Sequence, residues 1–421
     1  MYNRDMGKNI LIVGNSAKEY ALAKLLSRDN NVYVAPGNDA IKEFAETVDI
    51  RETNIPELLE FALENSIDIT IASSEEAIKA DIATFFEQNE QMVFAPTAAA
   101  AETVATSKSF AKKFMYKLKL PSPKFGIFDK PQYAVDYIKN KCEMPVVIKT
   151  DEYRKINGMQ ICSSQTIAKN FIEESFLRGE KRIIIEDFVY GNEFSFYVIT
   201  DGYKALPIGS LNNYKFTLDG DGGLLTSGMG ACSPNFKLTM EHENFLMNEI
   251  VFPVLDELEA QGSPYCGILG IDGVLEPDNN ISVLEFGTFF KDHDAQGLLE
   301  LIDEDICHMF EECVIGSFSD NYDYIKLKDD YALSCVLSAG KLSGQTIKGL
   351  DSAIDDNIKV AHYNTRKNEY LEYETTGGNT LLVTATAKTI SKAKNDLYDA
   401  IDLIDYNGKH YRKDICSVLN V

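Results

Sequence analysis

Short apolar runs alternate with helix-like stretches through the first hundred residues, and this rhythm constrains the fold more than any other feature of the chain. Lys8–Val13 is a mainly apolar run that ends at Gly14, and a helical pattern follows from Ala17 to Ser27. Val32–Ala35 then leads into the turn Pro36-Gly37-Asn38, and the strand-like segments Asp68–Ala72 and Met92–Ala95 are each followed by a helical stretch. Strand–helix–strand repetition predicts a parallel, doubly wound sheet. Ligands approach such a sheet at the carboxyl ends of its strands. The turns Gly14-Asn15-Ser16-Ala17 and Pro36-Gly37-Asn38 fall at those ends. Neither has the GxGxxG spacing of a dinucleotide fingerprint, which argues against an NAD site.

The pattern then changes. A helix over Ser107–Leu118 runs into Pro121-Ser122-Pro123, a predicted hinge. Residues 124–200 read as β-α-β-α-β, with strands at Lys124–Phe128, Pro145–Lys149, Met159–Ser163 and Arg182–Asp187. Strands rich in Val, Ile, Phe and Tyr continue to about residue 286, and the segment from Tyr331 has its own strands and a helix near Ser391–Ile404. The expected layout is an α/β chain of three domains. Residues 1–106 form the doubly wound domain, 107–325 a central domain with a lid at about 122–190, and 326–421 a small α+β domain.

The formal charge is −24, from 41 basic and 65 acidic residues, which speaks against nucleic-acid or anionic-membrane partners. No apolar run is long enough to cross a bilayer, and the first apolar stretch reads as a strand rather than a signal peptide. The eight cysteines include no CxxC pair and sit mostly in apolar sequence, so buried thiols in a reducing cytoplasm are expected.

Three clusters carry chemistry. Lys108 opens a helix and Lys149 ends the strand Pro145–Lys149; two such lysines flanking a β-α-β unit suit the phosphates of a nucleotide. The backbone after Glu186, in Ile183-Ile184-Ile185-Glu186-Asp187-Phe188, would bond an adenine edge, and Glu193 would accept from ribose hydroxyls. Asp219-Gly220-Asp221-Gly222-Gly223 and Ser227-Gly228-Met229-Gly230 form a glycine-rich stretch suited to close backbone approach to a ligand. The third cluster is Asp272 and Glu285, on two strand-like runs joined by the turn Glu276–Asn280. A hairpin there points both carboxylates into one site, and Mg²⁺ commonly takes one or two carboxylates together with substrate phosphates.

These motifs, in this order, resemble glycinamide ribonucleotide synthetase (phosphoribosylamine–glycine ligase), a family of the ATP-grasp superfamily. Gly14–Tyr20 resembles its GxGGREH turn, Val34-Ala35-Pro36-Gly37-Asn38 its VAPGN, and Phe94-Ala95-Pro96-Thr97 its FGPT. Ser107–Lys112 resembles SKAFAK, and Tyr214-Lys215 with Asp219–Ala231 resembles HKR and DGDxGPNTGGMGA. Thr376-Gly377-Gly378-Asn379 resembles NGGR, and Tyr411-Arg412-Lys413-Asp414-Ile415 resembles YRRDI. The resemblance implies a central ATP-grasp domain that uses ATP and Mg²⁺ (or Mn²⁺) to join a small carboxylate to an amine through an acyl phosphate, in purine biosynthesis and in the cytoplasm. It implies catalytic roles for Lys149, Lys215 and Asp221. It implies nucleotide contacts from Lys108, Lys149, Glu186, Asp187, Phe188 and Glu193, and metal ligation by Glu285 and Asp272. Substrate contacts fall on Gly14, Asn15, Glu19, Pro36, Gly37, Asn38, Asp219, Gly228, Met229 and Gly230. A monomer or a homodimer is equally compatible.

The departures fall on the chemistry. The glycine-rich lid KADGLAAGKGV is here Lys149–Met159, with only Gly158 of the three lid glycines and with Asn157 in place of the lysine. The family's LEFN is Leu284-Glu285-Phe286-Gly287, and its RFGDPETQ is Phe289–Gln296, so that Phe289 replaces an arginine, with Lys291 close by. Two readings therefore stand: a working ligase, with the family's substrates or with others, or a relative of weak or lost activity kept for binding a nucleotide or a partner.

Overall fold

The computed structural model describes residues 7–151 and 158–417. Five parallel strands open the chain: β1 Asn9–Gly14, β2 Asn31–Pro36, β3 Glu46–Thr47, β4 Ile69–Ala72 and β5 Val93–Phe94, in the order β3-β2-β1-β4-β5. Both faces of this sheet are buried. Ile10, Ile12 and Val34 pack into one core, and Leu11, Val13 and Ala35 into another. That two-sided burial explains the unbroken apolar runs. Strand order reverses at β1, and the helix Ala17–Leu26 leaves from its carboxyl end.

A four-stranded antiparallel sheet follows, over the segment expected as the lid: β6 Phe125–Phe128, β7 Val146–Thr150, β8 Met159–Cys162 and β9 Ile183–Asp187, in the order β6-β9-β7-β8. Its strands alternate. Val146, Ile148, Cys162, Ile183 and Ile185 pack beneath the helices Pro131–Lys141 and Gln165–Leu177. The intervening residues Val147, Lys149, Ile161 and Glu186 turn to the opposite face, over the rest of the chain.

The third sheet is antiparallel and has eight strands. It contains β10 Asn192–Asp201, β11 Ala205–Leu218, β12 Gly222–Ser233, β13 Cys266–Leu275, β14 Ile281–Gly287, β15 Tyr331–Gly340, β16 Ile358–His362 and, after a small ribbon of β17 Thr365–Lys367 with β18 Tyr373–Thr375, β19 Gly378–Ala387. The order is β14-β13-β10-β11-β12-β15-β19-β16. The C-terminal strands thus extend the central sheet, through the pairing of Gly230–Ser233 with Ala332–Cys335. They also have a core of their own, where Leu397 and Ile401 of the helix Ile390–Leu403 pack against Leu333, Leu381 and Val383.

One cysteine expectation is corrected. A disulfide joins Cys232 on β12 to Cys416, 184 residues apart in sequence. The Cys416 N–H donates to the Tyr214 hydroxyl at 2.9 Å, which seats the C-terminal segment against β11 and β12. Nothing in local spacing foretells that juxtaposition. The other cysteines are free. No described helix is long and apolar enough to cross a membrane.

Candidate active site

An open cleft of about 550 Å³, its solvent-filled mouth included, lies between the four-stranded sheet and the central sheet. Val147 and Ile161 form one apolar wall, and Val274 and Leu284 the other. Glu186, Asp187, Phe188 and Val189 lie along its back, with Glu193, Lys215, Lys149 and Glu285 at the polar end. A smaller cavity of about 260 Å³ adjoins it and adds Lys108 and Lys112 to the shared residues Lys149, Glu186 and Glu285. An apolar slot with a charged end, lysines and carboxylates together, suits a flat base with a charged tail.

Local structure places each of these side chains. Asp272 and Glu285 are direct partners across β13 and β14. Immediately beyond them the register shifts, so that Gly273 pairs with Val283 and Leu284 is the extra residue. Such a bulge re-aims side chains, and here Leu284 and Glu285 line both cavities, Phe286 adds to the smaller one, and Val283 stays in the core. Lys108 and Lys112 are one helical turn apart on Lys108–Leu118, whose N-cap is Ser107. The Asp151 carboxylate steadies that helix start by accepting from the Ser109 N–H at 2.8 Å and from the Ser109 hydroxyl at 3.0 Å.

Charge in the site is dense and balanced. Glu186 is held by Lys149 at 3.1 Å and Lys112 at 3.4 Å, with all three side chains buried. Lys215 pairs with Glu193 at 2.7 Å. Burial opposes ionisation of Glu285, yet Lys108, Lys149, Lys215 and Lys291 outweigh it and hold the carboxyl well below the usual range. Burial also works against the charge on Lys149 and Lys215, but the surrounding carboxylates raise both. Lys112 goes the other way, since burial pulls it down to about 8 despite Glu186.

The glycine-rich and N-terminal residues form a second region. The Glu19 carboxylate accepts from the Ser16 N–H at 2.8 Å and the Ser73 hydroxyl at 2.6 Å, and Lys18 lies 3.1 Å away. It fills the space beside Gly14, where an added Cβ would stand 2.5 Å from it, at φ +146°. Pro36 is the register partner of Gly14, and Asn38 spans to the Asn15 carbonyl at 3.3 Å. Four consecutive residues connect this region to the cavity. Lys291 pairs with Asp272, and Asp292 accepts from the Ser16 hydroxyl and the Lys18 N–H. The His293 ring packs on Gly228, and Asp294 accepts from Tyr197 at 2.7 Å.

The structure therefore gathers Lys108, Lys149, Lys215, Glu186, Asp187, Phe188, Glu193 and Glu285 at one place. Met229 is buried and Gly230 lies against the Ser334 carbonyl. Asp219 and Asp221 are at the far end of the β11–β12 hairpin instead. Asp221 is engaged by Arg412 at 2.8 Å, and Asp219 accepts from the Lys413 N–H at 2.8 Å. Arg154, Lys155 and Asn157 of the lid fall outside the described residues. Sequence reasoning passed over Lys112, although its four-residue spacing from Lys108 is a usable signal.

Three family models of phosphoribosylglycinamide synthetase match the chain in order: the N domain over residues 8–103, the ATP-grasp (A) domain over 106–295 and the C domain over 339–418. The chain belongs to the phosphoribosylglycinamide synthetase family. It is accordingly an ATP-dependent ligase built on the ATP-grasp plan. Phosphoribosylamine–glycine ligase of Neisseria meningitidis serogroup B is 32% identical over 96% of this chain and 98% of its own length. The ligase of the same name from Yersinia pestis is 31% identical over 97% and 98%. Among solved structures, phosphoribosylamine–glycine ligase from Thermotoga maritima superposes with a TM-score of 0.81 at 22% identity, covering 97% of this chain and 100% of that one. The biotin carboxylase domain of Hydrogenobacter thermophilus 2-oxoglutarate carboxylase, in complex with MgADP, has a TM-score of 0.73 at 15% identity, covering 96% and 92%. These two structures share the fold.

The cleft lining suits a nucleotide, and Glu285 is the carboxylate there that would hold a divalent ion; among the described residues no three His, Cys, Asp or Glu side chains group as a metal site. The lysines supply fixed positive charge at one end of an apolar slot, and Glu285 is an ionised carboxylate facing the same space.

Proposed function

We propose that this chain joins phosphoribosylamine to glycine at the expense of ATP. The observation that carries this reading is the apolar cleft ending at Lys149, Lys215 and Glu285, in a chain matched by all three family models in order. The base lies between Val147 and Leu284, its edge on the backbone after Glu186 and its ribose at Glu193. Lys108, Lys149 and Lys215 hold the phosphates as fixed charges. A divalent ion on Glu285 neutralises phosphate charge when bound.

A glycine carboxylate oxygen attacks the γ-phosphorus, the bond to the bridging oxygen breaks, and ADP leaves. The phosphoribosylamine nitrogen then attacks the acyl carbon, loses a proton, and expels inorganic phosphate. The lysines contribute positioning and charge stabilisation, which dominate phosphoryl transfer. The amine end of the site lies at Gly14, Asn15, Glu19, Pro36, Gly37 and Asn38, and the acid end at Gly228, Met229 and Gly230. A cytoplasmic setting and a monomer or homodimer complete the proposal.

A second reading, a ligase for another acid or a nucleotide-binding relative, is favoured by Gly287 and by the Lys291–Asp272 pair. ADP release from MgATP with glycine and freshly generated phosphoribosylamine, with mass spectrometry of the products, separates the two. Glycinamide ribonucleotide is expected; bound ATP without that product would overturn the first reading.

A further inference from the structure

The β13–β14 hairpin offers two carboxylates in register, yet they stand in different surroundings. Glu285 lines both cavities. Asp272 has each oxygen committed to the protein: Oδ1 accepts from the Ser195 hydroxyl at 2.5 Å, and Oδ2 takes the Lys291 ammonium. Asn213 donates to Ser195 at 2.5 Å, and Lys291 Nζ lies 3.5 Å from the same hydroxyl. Asp272, Ser195 and Lys291 are all buried. Strands β10, β11 and β13 and the segment after β14 thus each add one member to a closed network.

We propose that Lys291 is a built-in cation that takes the place a metal would hold on Asp272, so that Glu285 is the sole protein carboxylate for the divalent ion. This rests on the ligase reading above. The physical reason is competition. A metal that bridged Asp272 and Glu285 would have to expel an ammonium into a buried space, and breaking a buried ion pair leaves an uncompensated charge. Mg²⁺ also demands near-ideal octahedral geometry and readily completes its shell with water and phosphate oxygens, so one carboxylate suffices. Lys291 is in this sense a positioning residue: it fixes Asp272 and adds to the positive field at Glu285.

The test is a Mn²⁺ titration of the full chain loaded with ADP, followed by the electron paramagnetic resonance signal of free Mn²⁺. Glu285→Gln is expected to weaken Mn²⁺ binding by about tenfold or more, as loss of a charged ligand implies. Asp272→Asn alone strands the Lys291 ammonium beside Glu285 and is expected to weaken binding through that freed cation rather than through a lost ligand. Each single substitution at the pair strands one buried charge, so the double variant Asp272→Asn/Lys291→Met, which removes both, provides the same comparison in a form that retains neutrality. This double variant is expected to bind Mn²⁺ within about twofold of the wild type. A loss in the double variant matching that of Glu285→Gln would overturn the assignment alone. Absence of Mn²⁺ binding to the wild-type ADP complex would overturn it together with the metal part of the proposed function.

Discussion

The Lys149 ammonium sits 3.1 Å from one oxygen of Glu186 while Lys112 approaches the other at 3.4 Å; Lys149 and Glu186 line both cavities, and Lys112 lines the smaller one. Because Lys112 also serves Glu186, Lys149 can be removed without leaving that carboxylate alone. Lys149→Ala is therefore expected to keep the fold and to weaken ADP binding about 10- to 100-fold, the worth of a charge-assisted contact to phosphate. Calorimetric titration with MgADP checks this, and an unchanged affinity would remove Lys149 from the nucleotide site.

Glu285→Gln removes the carboxylate around which Lys108, Lys149, Lys215 and Lys291 are balanced. Turnover of MgATP is expected to fall by about a hundredfold or more, in line with losing one electrostatic contributor to a preorganised site. Circular dichroism distinguishes this from unfolding. A rate equal to that of the wild type would sink the metal assignment.

Gly228 has φ +152°, and a Cβ there would stand 2.1 Å from His293 Cε1. Gly228→Ala is expected to cost about 1–3 kcal/mol, the range for overpacking a tight site. Adding His293→Ala to the same chain should recover part of it by opening the space, the backbone penalty remaining. Thermal melts of the wild type and the single and double variants measure both steps.

His362 packs against Tyr20 and Tyr373 and is pushed down to about 4 by burial. The unfolded chain titrates near 6.5, so between those values it binds more protons than the folded chain. Stability from this group is complete above about pH 6.5 and is lost as pH falls toward 4, by about 3 kcal/mol in all. His362→Gln should flatten that slope in melts recorded from pH 7 to pH 4.5. A slope identical to the wild type's would show that His362 is not its source.

What the sequence determined is what short-range periodicity carries. The short unbroken apolar runs and the helical spacing between them specified the parallel sheet. Lys149 and Glu186 were readable as site candidates because each closes an uninterrupted apolar strand, while the face each side chain takes came from the packed sheet. The bulge at Leu284 and the role of Lys112 needed the packed structure, because each depends on what lies opposite.

Contacts between distant segments were decided by the tertiary fold alone. Lys291 is 19 residues from Asp272, Arg412 is 191 from Asp221, and Cys416 is 184 from Cys232. No local rule selects such partners. They meet because the C-terminal strands extend the central sheet and because the segment after β14 folds back beneath β10 and β13. Once buried, an unpaired charge is too costly to leave alone, so the fold itself determined which acid each of these cations neutralises.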